Sequence, residues 1–130
     1  MGEGSAATGC WAQEYDASPD SVADARQLAR TALQETGTQV PELELVLSEL
    51  AANAVRHACT QYRVEIEVRP EVVFVGVRDS SPALPHKREP EPGAGGGRGL
   101  LIVEALARRW GVLEFEDDGK TVWAEVPYPV

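Results

Sequence analysis

At 130 residues the chain is the size of one domain and can bury about two-thirds of the surface its unfolded form exposes; at 43% apolar and 25% charged it is globular rather than disordered or fibrous. Acidic residues outnumber basic ones 21 to 12, and the resulting net charge of −9 repels nucleic-acid backbones and anionic lipid, leaving room for a local anion pocket only. No apolar run approaches the about 20 residues of a membrane span, and the opening MGEGSAATGC has neither the basic nor the apolar region of a secretion signal, so a cytoplasmic location is expected.

In chain order, residues 1–9 are small and polar and are expected to form a disordered tail before a single domain over 10–130. Residues 10–16 have the makings of a short edge strand. Ser18, Pro19 and Asp20 are a helix start, Ser18 as cap and Pro19 pre-set for the first turn, and the helix should run to about residue 35, with Gly37 as its stop. Within it Val22, Ala25, Leu28, Ala29, Ala32 and Leu33 recur at helical spacing. A second helix over 41–58 buries Leu43, Val46, Leu47, Leu50 and Ala54. Tyr62, Val64, Ile66 and Val68 alternate with charged residues, and after a Pro70-Glu71 turn VVFVGVRD follows, which together predict a hairpin. Four prolines and four glycines break all periodicity over residues 80–97; a loop this long inside a domain suggests a lid. A third helix over 99–110 and a final hairpin, VLEFED and TVWAEV around Asp118-Gly119, complete the order βααββ, loop, αββ. Hairpins with separate helices favour an α+β two-layer sandwich, its sheet mixed but mostly antiparallel with about three helices on one face. Cys10 and Cys59, the two cysteines, are too few for a disulfide scaffold and are read as bystander thiols.

Three patterns carry chemistry. ELAANAVRHA sets Glu49, Asn53 and His57 at four-residue steps on the second helix, one polar stripe beside its buried face. The Asn53 oxygen suits a hard cation such as Mg²⁺ and the Glu49 carboxylate can polarise an attacking hydroxyl; the plain alternative is a solvated stripe. Asp79 emerges from an apolar strand into the loop SSPALP, placed either to accept a hydrogen bond from a ligand amine or simply to cap the turn. GAGGGRGLLIVEAL leads a glycine-rich loop into an amphipathic helix, so that backbone amides, the helix dipole and Arg98 can converge on phosphate oxygens; alternatively it is a flexible linker. It is neither a P-loop, lacking GK followed by Ser or Thr, nor a dinucleotide fingerprint.

Together and in this order the three patterns resemble the nucleotide-binding boxes of the GHKL ATPase superfamily over about residues 14–126. With no phosphorylatable dimerisation helix ahead of residue 18, the chain is most similar to the anti-sigma-factor serine/threonine kinase branch. The resemblance implies ATP and Mg²⁺ as cofactors. ELAANAVRHA resembles the asparagine box, implying Asn53 as the Mg²⁺ ligand, Glu49 as general base and His57, a residue common in this branch, beside the nucleotide. Asp79 with the SSPALP that follows it resembles the first glycine box, implying that Asp79 recognises the exocyclic amine of adenine with Ala83 in the same box. GGGRGLLIVEAL resembles the second, implying phosphate contacts from Gly97, Arg98, Gly99 and Leu100. GKTVWAEV resembles the last strand of the site, implying that the Thr121 hydroxyl supports the adenine while Lys120 faces solvent.

Members of that branch bind a sigma factor and transfer the γ-phosphoryl of ATP to a serine of an anti-anti-sigma partner with a STAS fold, commonly as homodimers. That function is the expectation here, with the lid over 80–97 ordering around the triphosphate. One departure stands: where the first glycine box has glycines after its Asp, this chain has Ser81 and Ala83 about Pro82, which hinders close backbone approach to adenine. The departure supports an alternative, a regulator that sequesters its partner with or without nucleotide and does not phosphorylate it. A third reading is an interaction module with a vestigial pocket.

Overall fold

The computed structural model describes residues 8–57, 61–80, 98–116 and 119–129. Its elements are β1 (Gly9–Asp16), α1 (Ser21–Thr36), α2 (Glu42–His57), β2 (Gln61–Val68), β3 (Val72–Asp79), α3 (Arg98–Leu106), β4 (Arg109–Glu114) and β5 (Lys120–Pro127). The strands form one sheet in the order β1-β2-β3-β5-β4, every neighbouring pair antiparallel. This is the α+β sandwich that the element order predicts, with a sheet that is antiparallel throughout. No helix among the described residues is long and apolar enough to cross a membrane.

Alternation along each strand sorts the two faces of the sheet. Tyr62, Val64, Ile66 and Val68 of β2, Val73, Val75 and Val77 of β3, and Val122, Ala124 and Val126 of β5 are buried on one face, with Trp11 and Tyr15 of β1 packed against the same core. The helices cover that face: α1 packs on β1, β2 and α2; α2 lies over β2, β3 and β5; α3 packs along α2 and reaches β4. On the other face Phe74 and Trp123 stack with ring centroids 6.1 Å apart, and the buried Glu125 accepts hydrogen bonds from Arg109 at 3.1 Å and from Arg69 at 3.2 Å.

Three boundaries depart from the sequence reading. The cap of α1 is not Ser18: the helix starts at Ser21, and Asp20 makes no side-chain cap bond. The Ser18 carbonyl instead accepts from the N–H and the hydroxyl of Ser21, at 3.0 and 2.7 Å, while the Ser21 hydroxyl also meets the Tyr62 phenol at 2.6 Å; a tertiary hydrogen bond to β2 sets the entry to the helix. The third helix ends at Leu106, not at residue 110, because Arg109 and Trp110 pair with Glu125 and Ala124 as the start of β4, and the Arg109–Glu125 ion pair rewards that pairing. Gly9 belongs to β1 rather than to the tail, whose residues 1–7 lie outside the described residues. The end of α1 is as read: Gly37 sits at φ 66°, its N–H bonding to the Gln34 carbonyl at 3.2 Å and that of Thr38 to Leu33 at 2.9 Å, a left-handed cap that favours glycine. The Pro70-Glu71 turn is closed by a 2.9 Å bond from the Arg69 N–H to the Val72 carbonyl. Phe115 and Gly119 likewise bridge the β4–β5 connection at 2.9 Å, with Asp118 outside the described residues.

Candidate functional site

Tyr15, Tyr62, Asp79 and Lys120 are successive cross-strand partners, so they form one row across the helix side of the sheet at one of its ends. Three residues join α2 to β2, so His57 lies within about 14 Å of Gln61, and the C-terminal half of α2, with Asn53 and His57, belongs to this end. Helix α3 is tied by its C-terminus to Arg109, the partner of Glu125 at the far end of the sheet. It spans nine residues, about 13 Å, and packs on α2. Chain connectivity thus sets the C-terminal half of α2 and the Asp79 row toward one end of the sheet, while residues 81–97 lie outside the described residues.

Asn53 is the unusual residue of α2. The polar stripe was expected beside the buried face, but Asn53 lies inside it, 7% exposed, in a row with Val46 and Leu50 on a helix whose neighbouring Ala54 is also buried. No hydrogen bond among the described residues engages its side-chain amide. Fully buried side-chain N and O atoms all have partners here, so the Asn53 amide keeps a sliver of exposure. That opening leaves the amide within reach of solvent or of a ligand. Glu49, one turn earlier, and His57, one turn later, are half-buried.

At the sheet end, Lys120 Nζ donates to Asp79 Oδ1 at 2.9 Å and Oδ2 at 3.1 Å, and each side chain is 2% exposed. Lys120 was expected to face solvent; register overturns this, because Lys120 sits opposite Asp79 and shares the face of Val122, Ala124 and Val126. The same alternation sends Thr121, expected beside Asp79, to the opposite face. It pairs with Arg78, and a Cβ added to Gly76 would meet the Thr121 methyl at 3.1 Å. The signal for Lys120 was present in KTVWAEV: counting by twos from the apolar Val122, Ala124 and Val126 puts the lysine on the core side. Removing one partner of such a buried pair costs about 3–5 kcal/mol, more than the about 1.5–3 kcal/mol that one hydrogen bond to a charged group returns.

Ala83 and Gly97 lie outside the described residues. Arg98 and Gly99 supply first-turn backbone of α3, and Leu100 follows as a buried core residue, 3% exposed. Two shallow hollows, one lined by Cys10, Trp11, Arg63 and Phe74 and the other by Arg69, Trp123 and Glu125, include none of these residues. Among the described residues no group of three or more His, Cys, Asp or Glu converges to hold a metal ion.

Residues 15–126 match the family described as histidine kinase-like ATPase domain. The chain belongs to that family. The matched stretch begins at the end of β1 and ends in β5, so it takes in α1, α2 and α3 together with β2, β3 and β4. The fold of this histidine kinase-like ATPase domain is similar to that of the RsbU and RsbW domains of Rv1364c from Mycobacterium tuberculosis, with a TM-score of 0.65 at 18% identity over 92% of this chain and 32% of that one. This chain thus spans about a third of that protein's length. No curated protein matches the chain in sequence.

Proposed function

We propose that this domain binds ATP with Mg²⁺ and acts as an anti-sigma-like regulator, phosphorylating a serine of a STAS-fold anti-anti-sigma partner and so controlling the availability of a sigma factor. The observation that carries the reading is Asn53, an amide set in the buried face of α2 with no hydrogen bond among the described residues, in the half of α2 that leads into β2 and its neighbour Asp79. A polar side chain on an apolar helix face, open to solvent only at its tip, is placed to meet a ligand. Its oxygen would be the protein ligand of Mg²⁺, and the chemistry that the ion supplies when bound is neutralisation of the β- and γ-phosphate oxygens.

Asp79 accepts the adenine amine, and the backbone N–H groups of Gly97, Arg98, Gly99 and Leu100 meet phosphate oxygens at the positive end of α3. His57 and Ala83 border the nucleotide. Glu49 takes the proton of the partner's serine hydroxyl as that oxygen bonds to the γ-phosphorus; the bond from phosphorus to the bridging oxygen breaks and ADP leaves. Positioning of the two substrates supplies most of the acceleration. The likeness to a protein carrying RsbU and RsbW domains supports a regulatory setting, and work in the cytoplasm, as a homodimer, accords with it.

Melting with and without ATP–Mg²⁺, alongside a phosphotransfer assay with a STAS partner, tests the reading. ATP–Mg²⁺ should stabilise the wild type and Glu49→Ala but not Asn53→Ala, and Glu49→Ala should lose transfer. Equal transfer by all three proteins overturns the mechanism. The engagement of both Asp79 oxygens by Lys120 favours one second reading, a regulator that sequesters its partner without phosphorylating it; a melting curve unmoved by millimolar ATP would assign it.

A further inference from the structure

We propose that Lys120 is a positioning residue that sets base selectivity: it holds the Asp79 carboxylate in the one orientation that can accept a purine amine, and it stays in place when nucleotide binds. The inference rests on the nucleotide-binding reading above. Three observations carry it. Lys120 Nζ reaches both carboxylate oxygens, at 2.9 and 3.1 Å, so the plane of the carboxylate is fixed rather than free to rotate. The two residues are direct partners across β3 and β5, so the backbone ladder sets the geometry of the pair. Both side chains are 2% exposed, where an ion pair is little weakened by water or salt.

Burial also decides between two roles for the lysine. A base amine that displaced Lys120 would strand a buried ammonium, which costs more than one hydrogen bond returns. A carboxylate has about four lone-pair sites, so it can hold the ammonium and accept an amine together. Lys120 is therefore a support for Asp79 and not a plug to be expelled, and the ligand it suits is a purine nucleoside triphosphate bearing an exocyclic amine.

The test compares affinities for ATP and for purine riboside 5′-triphosphate, which lacks that amine, by calorimetry on the full chain. The wild type should favour ATP by about tenfold or more. Lys120→Arg should keep that ratio within about threefold, whereas Lys120→Gln should bring it near unity with affinity for the analogue almost unchanged. A merely structural role would weaken both nucleotides together and leave the ratio intact, and that result overturns the proposal. A second measurement needs no variant: the Lys120 ammonium protons should remain observable by NMR, protected from water, in the ATP complex, and their loss on ATP addition also overturns it. If the wild type binds both nucleotides equally, the inference fails while nucleotide binding stands; if it binds neither, the nucleotide reading itself fails and takes the inference with it.

Discussion

Asn53 and Glu125 are polar residues the fold treats in opposite ways. Asn53 sits among apolar neighbours, its amide without a hydrogen bond among the described residues, so an apolar side chain there would bury more surface without losing a bond. Asn53→Leu, close in volume, should raise ligand-free stability by about 1 kcal/mol while abolishing the melting response to ATP–Mg²⁺; a loss of stability in that variant counts against an idle amide. Glu125 is fully used: hydrogen bonding from Arg109 first, then the nearby charges of Arg109, Arg69 and Arg108, hold its pKa below the ordinary value of 4.5 against a counteracting burial. A folded pKa below the unfolded one means that the contribution is complete above about pH 4.5 and fades as pH falls through the lowered folded value. Glu125→Gln should melt lower than wild type at pH 7 and lose less on acidification below 4.5, in melting curves taken across that range. Asn53 and Asp79 stand out in the sequence because each departs from its local pattern, a mediocre helix former inside an apolar helix and a carboxylate ending an apolar strand. The partner of Asp79 was not legible from Asp79 itself, since 41 residues separate it from Lys120.

Elements whose ends are decided locally match the sequence reading, and those decided by tertiary partners do not. Gly37 ends α1 through its own left-handed backbone, a choice available to the chain before anything else folds. Gly37→Ala should cost about 1 kcal/mol, seen as a lower urea midpoint with unchanged slope. A smaller loss would mean that the cap relaxes at no expense. The start of α1 and the end of α3 were misread because each is fixed by a distant strand: Tyr62 holds Ser21, and Glu125 draws Arg109 into β4. In both places the local signal was sound, but a longer-range bond outweighs a few tenths of a kcal/mol of propensity.

Across the whole molecule, one face of the sheet takes the helices and the core, and one end of that face takes the candidate chemistry. The opposite face carries, toward the far end of the sheet, the Arg69–Glu125–Arg109 ion pairs, a stabilising cluster with no role in the proposed reaction. This division predicts where ligand binding is felt. In hydrogen exchange, ATP–Mg²⁺ should protect amides in the C-terminal half of α2 and the first turn of α3 while leaving those near Arg109 and Glu125 unchanged. Uniform protection would point instead to global stabilisation by mass action, which reaches about 2.7 kcal/mol for a ligand at 100 times its dissociation constant.

The sequence by itself determined the element order, the faces of the strands, the position of the glycine cap and the three patterns from which the nucleotide site is proposed. Each of these depends on spacing within about one turn or one strand, where side-chain direction follows directly from backbone period. Tertiary structure alone decided that Lys120 meets Asp79 and that Asn53 is inside the core face rather than beside it. Those facts depend on which residue stands opposite which, and register is fixed only when strands pair and the helices close over them.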